Sequence, residues 1–311
     1  MQIDLNLLLD DISKLMHYLV RNEKQSSMEA LSDLHTFTGF FEEITRVEIN
    51  TDIFMDKDKV NKYLVKYYLD GVRRFTNFFN SNDKDLLTLA NNIDSFVDKE
   101  SVIHIYNDSY KTLNKSKSYS EKEFKEIIYD FYSQYGNNIF NAVRKMFDEK
   151  RISMGYYMGS KKDGYTVSST FTKSAYIVTG SDYFAIDSMI LLVHELAHAA
   201  SFYTSSIYTS QRNPDMSAFI EVPSCFFELA FMDYLIKNHT EGKSALTILN
   251  DKIATDFVSL KKYSEIADSV DFFMDDEGYI HGDNLPLNLI GNNLADDLKY
   301  TLGYSIALNL L

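Results

Sequence analysis

The chain of 311 residues has one cysteine, three prolines, twelve glycines and no tryptophan. A single cysteine, Cys225, excludes an intramolecular disulfide framework. It reads most simply as a small buried apolar side chain, with a catalytic thiol as the sharper alternative. So little Pro and Gly beside 45% hydrophobic residues describes a compact, largely helical protein. Cations are scarce: 31 Lys and Arg stand against 45 Asp and Glu, a formal charge of −14. That balance argues against nucleic acid or an anionic membrane as a partner. It serves solubility first, and it favours cationic ligands such as peptides with free amino groups. No apolar run approaches the ~18 residues of a membrane span. Met1-Gln2-Ile3-Asp4-Leu5 lacks the basic start and apolar core of a secretory signal, so a cytoplasmic protein is expected. Phosphate-cradling glycine loops and nucleophile elbows are also missing.

What is present divides near residue 150. A chain of this length can bury one large core or two domains. Residues 1–150 carry helical periods, first the stripe Leu5, Leu8, Leu9, Ile12, Leu15, Met16 and Leu19. Similar patterns lie at about 25–47, 58–82 and 119–148, with a polar break at Asn80-Ser81-Asn82-Asp83-Lys84. Aromatics such as Tyr63, Tyr67, Phe75 and Phe78 read as helix-packing core before they read as a peptide channel. From about 151 the pattern turns to strands: 152–158, 164–170 and 174–179, rich in β-branched and aromatic residues. They predict a small antiparallel sheet, and an edge strand of it could hold an extended peptide by backbone hydrogen bonds. Helix then resumes to the end, broken by a loop at 201–214 and by the acidic stretch Asp275-Asp276-Glu277-Gly278. The expected fold is mainly α with a small antiparallel β-sheet: a helical part at 1–150, a zinc catalytic part at 151–311, and a cleft between two helical parts.

The most informative residues are His194-Glu195-Leu196-Ala197-His198. Two histidines four apart on a helix differ by roughly 40° about the axis, so both imidazoles leave one face. That spacing lets two neutral nitrogens share one tetrahedral Zn²⁺. Glu195 lies about 100° round the helix from His194, close enough to serve a water as general base without being a ligand. Chance alone yields HExxH in roughly one chain of this length in a hundred, so context matters. The flanks are apolar and free of Gly and Pro from Ser188 to Val193, and Asp182 stands where a helix-start acid belongs. Ionisable groups inside a buried helix need compensation, and a metal supplies it. A catalytic zinc takes a third protein ligand. Glu221 is the best candidate: it opens a second apolar helix, with Pro223 in its first turn. Glu228, two turns on and on the same face, suits an outer partner of an imidazole N–H. The bland alternative makes both acids helix-start surface charges.

On these residues the chain resembles the M3 metallopeptidases, which include thimet oligopeptidase and oligoendopeptidase F. The resemblance rests on His194-Glu195-Leu196-Ala197-His198, on Glu221-Val222-Pro223-Ser224 and on Glu228. It extends to Ser174–Gly180 with Asp187 upstream, and to Tyr300-Thr301-Leu302-Gly303-Tyr304 downstream, so it covers roughly 150–311. It implies one Zn²⁺ per chain on His194, His198 and Glu221, Glu195 as base, Asp187 and Glu228 behind the ligands, and a gluzincin-type catalytic domain. It also implies an oxyanion donor from the C-terminal segment: Tyr300 first, then Tyr304, then His281 in a loop. Ala197 stands where the family usually has Gly, and Asn292–Lys299 stands where it carries a His and further Tyr.

The leading expectation is a zinc endopeptidase or oligopeptidase acting on short peptides, with water as the nucleophile and Glu195 as the base. Two alternatives stand beside it. One is a zinc-loaded peptide-binding module of weak activity. The other is a zinc amide hydrolase dedicated to a narrow substrate.

Overall fold

The structure, a computed structural model, describes residues 1–21, 27–46, 118–155, 164–181, 184–204, 220–239, 272–274, 280–282, 299–300, 303–304, 306–307 and 310. The expected helix at 58–82, with its aromatics, and the acid Asp182 lie outside the described residues. The chain divides into two units, 1–67 with 118–209, and 68–117 with 210–311. No helix among the described residues is long and apolar enough to cross a membrane.

The first unit begins with α1 (Leu5–Arg21), started by Asp4, whose side chain accepts from the N–H groups of Asn6 and Leu7. Leu8, Ile12 and Leu15 of the apolar stripe are buried, while Leu5 and Leu9 face solvent. α2 (Ser27–Thr45) packs on α1. The periodic stretch at 119–148 is two helices, α3 (Glu121–Ser133) and α4 (Asn137–Asp148). Ser120 and Glu123 form a capping box at the start of α3. Gly136, at φ 91°, makes the break that divides the two.

Three strands follow: β1 (Ile152–Met154), β2 (Gly164–Ser169) and β3 (Ser174–Thr179). The sheet is mixed, which corrects the antiparallel expectation. β2 and β3 form the antiparallel hairpin, but β1 joins the far side of β3 and runs parallel to it, in the order β1-β3-β2. Periodicity within a strand reveals its faces and not its neighbour, so the parallel pairing left no local trace. β3, at the centre, is buried along its whole length. α1 and α2 cover one face, where Leu34 and Phe37 meet Val167, Tyr176 and Val178.

α5 (Ile186–Thr204) covers β2 and β3, and α3 and α4 pack against it as well. A helix packed on several sides must be apolar all round, and from Leu192 to Ala200 every residue is buried. Burial of Leu192, Val193 and Leu196 contributes about 1.5–3 kcal/mol each. α5 runs to Thr204, so the first four residues of the loop expected at 201–214 are helical, with the Thr204 hydroxyl donating to the Ala200 carbonyl; the rest of that loop lies outside the described residues.

The second unit contains α6 (Val222–Asn238), the antiparallel pair β4 (Phe272–Met274) and β5 (Ile280–Gly282), and helical residues 299–300, 303–304, 306–307 and 310. β4 and β5 correct the expectation of helix on either side of the acidic stretch, which itself lies outside the described residues. His281 accordingly stands in a strand, opposite Phe273, rather than in a loop.

Candidate metal centre

α5 builds the centre from its middle. His194 and His198 are one turn apart, and their Nε2 atoms are 3.2 Å apart. Two nitrogens at about 2.0–2.1 Å from one tetrahedral ion stand about 3.3–3.4 Å from each other. The rings are edge to face, with centroids 4.9 Å apart. A single N–H···N bond also spans such a distance, but that bond calls for no third group. The third group expected from the sequence, Glu221, opens α6 in the second unit. Two imidazoles and a carboxylate are a donor set that suits zinc. In their chemistry the three side chains suit the metal expected from the sequence.

The three are held from behind. His194 and Glu195 are 5% and 4% exposed, and His198 is 9% exposed. The Tyr132 hydroxyl donates to the carbonyl of Val193 at 2.8 Å, fixing the backbone beside His194. Glu221 occupies the N-cap of α6, with Pro223 inside the first turn as expected. The Ser224 hydroxyl lies 2.9 Å from the Glu221 carbonyl and 3.2 Å from its Oε2, and Lys299 Nζ is 3.9 Å from Oε1. Both oxygens of that carboxylate thus have a neighbour of matching polarity.

Glu195 points toward β2. The Thr166 hydroxyl stands 2.7 Å from Glu195 Oε2 and 3.0 Å from its main-chain oxygen. Gly164, on the same strand, faces Oε1: a Cβ there would come within 2.8 Å of it. Neither Gly164 nor Thr166 was marked as a site residue by sequence, because their proximity to Glu195 depends on strand register.

The remaining candidates fall into place separately. Asp187 sits in the first turn of α5, seven residues before His194. Glu228 is fully buried on α6, and it accepts a hydrogen bond from the Tyr304 hydroxyl. Gly303 permits that contact, because a Cβ on it would lie 2.8 Å from Cys225 Sγ and 3.1 Å from the Glu221 carbonyl. Tyr300 carries the Lys299 ammonium 5.2 Å from its ring centroid, and its carbonyl accepts from Cys225 Sγ at 3.9 Å. Cys225 is buried in this packing, as its composition suggested. His281 is placed by backbone alone, and its side chain lies outside the described residues.

No protein-family model, curated protein or solved structure matches the chain.

Proposed function

We propose that the protein is a zinc-dependent metallopeptidase of the M3 kind, with His194, His198 and Glu221 as ligands and Glu195 as general base. The observation that carries the reading is the buried pair of imidazole nitrogens 3.2 Å apart on the helix that also presents Glu195. Zinc held there would polarise a carbonyl and make water nucleophilic near neutral pH. Glu195 takes the proton from the attacking water and returns it to the leaving nitrogen. β2 lies at an edge of the three-stranded sheet, beside α5, and so has backbone groups to offer an extended peptide. The formal charge of −14 favours peptides with free amino groups.

A second reading draws on Tyr304. Its phenol is engaged with Glu228 and buried, which removes one candidate oxyanion donor. A zinc-loaded peptide-binding module with weak turnover fits that arrangement. Incubation of the zinc-loaded protein with a mixed peptide library, read by mass spectrometry, tests the two. Cleavage that disappears in Glu195→Gln supports the peptidase. Stoichiometric zinc with no cleavage supports the binding module.

A further inference from the structure

β2 has two differently employed faces. Val167 enters the core made by α1 and α2, and the Ser169 hydroxyl donates to Asp33 Oδ2 of α2 at 2.8 Å. Side chains alternate along a strand, so positions 164 and 166 face the opposite side, where α5 packs. There the Thr166 hydroxyl meets Glu195 Oε2 at 2.7 Å and the Glu195 main-chain oxygen at 3.0 Å. A hydroxyl has one hydrogen to give, and Oε2 is the nearer of the two acceptors. The bond therefore goes to Oε2. At Gly164 a Cβ would lie 2.8 Å from Glu195 Oε1, 3.0 Å from Glu195 Cγ and 3.0 Å from Leu191 Cδ1. Any side chain there would press the carboxylate out of its present position.

We propose that Gly164 and Thr166 form a seat for the Glu195 carboxylate, in which Thr166 is a positioning residue that reserves Oε1 for the proton. The inference rests on the reading of Glu195 as the base. A free glutamate side chain turns about three bonds, and a base that swings loses the advantage of a fixed geometry. With Oε2 occupied by Thr166, Oε1 is the oxygen that works. As the water oxygen bonds to the carbonyl carbon, one O–H bond of the water breaks and its proton goes to Oε1. As the C–N bond breaks, that proton forms the new N–H bond of the leaving amine. Gly164 contributes by having no side chain to displace Oε1.

Cobalt(II) and acetohydroxamic acid are the probes, so no substrate is required. Co²⁺ bound by the full chain is read from its visible absorption. Acetohydroxamic acid chelates the ion and passes its hydroxyl proton to an adjacent base, and its affinity is read from the same spectrum. Thr166→Val is expected to keep the cobalt spectrum and to bind the hydroxamate about tenfold more weakly, the size of one charge-assisted hydrogen bond. Thr166→Ser should return the affinity to that of the parent, and Glu195→Gln should lose at least as much as Thr166→Val. Gly164→Ala is the second variant, expected to weaken the hydroxamate with the spectrum intact, and it carries the test if Thr166→Val does not fold. Parent-like affinity in Thr166→Val with its spectrum retained overturns the proposal, as does a Ser variant no better than Val. A parent chain that takes up no cobalt overturns the metal reading and this inference with it; an intact spectrum with unchanged affinity overturns this inference alone.

Discussion

The phenol of Tyr304 donates to the carboxylate of Glu228 at a place where neither side chain reaches solvent. Gly303, next to Tyr304, rests against the main chain of Glu221, two turns before Glu228 on the same side of α6. The C-terminal helical residues therefore brace the element that presents the proposed third ligand. A buried carboxylate depends on its donors, because removal of one leaves part of its desolvation uncompensated.

Tyr304→Phe is expected to destabilise the fold by about 1.5–3 kcal/mol, the range for a hydrogen bond to a charged group. Urea unfolding measures it. An unchanged midpoint would mean that Glu228 finds another donor without cost.

Gly303→Ala should be destabilising by about 1–3 kcal/mol, because the added methyl overpacks against Cys225 Sγ and the Glu221 carbonyl. Replacing Cys225 by Ala in the same chain should recover part of the loss, since it removes the nearer obstacle. Simple additivity of the two substitutions would contradict the packing described here.

Lys299 stands 3.9 Å from Glu221 Oε1 with its side chain 28% exposed. A cation beside the proposed ligand would compete with a metal for the carboxylate and repel it. Lys299→Met should therefore tighten zinc binding, by up to about fivefold given the ~0–1 kcal/mol of a partly screened pair. Competition with a chromogenic chelator reads this directly. Weaker zinc binding would show that Lys299 helps to hold the site.

The first unit contains a buried polar tie. Asp11 Oδ2 accepts from the Tyr176 hydroxyl at 2.8 Å and from Arg151 Nη1 at 3.4 Å. Burial pushes the Tyr176 phenol well above its ordinary value, the bond to Asp11 adds to the rise, and Arg151 opposes it. Burial raises Tyr203 as well. A group raised in the folded state keeps its proton after the unfolded chain has lost it. The stability is thus fully present below about pH 10, the unfolded value, and declines as the pH rises beyond it. Urea midpoints measured from pH 8 to 11 should fall at the alkaline end, and Tyr176→Phe should make that fall shallower. An identical fall in the variant would place the ionisation elsewhere.

α5 was legible because its apolar run, its histidine spacing and its lack of Gly and Pro all point the same way. The start of α6 was legible from Pro223 for the same kind of local reason. In α1 the helical period includes Leu5 and Leu9, which face solvent, since period alone does not fix how wide a buried face is. The parallel pairing of β1 and the seat at Gly164 and Thr166 were not legible. Thr166 is 29 positions from Glu195, and the contact exists only because β2 pairs with β3 in one register and α5 lies across both. Short strands such as β4 and β5, of three residues each, carry too little alternation to be told from the ends of helices.

The central claim, that His194, His198 and Glu221 hold one zinc ion, is tested most directly by elemental analysis of the purified protein beside its His198→Ala and Glu221→Ala variants. The account predicts one zinc per chain in the parent, and loss or strong weakening of it in both variants, with the helical circular-dichroism signal retained. A parent chain free of zinc after exposure to the metal, or a His198→Ala chain that keeps its full content, would contradict it.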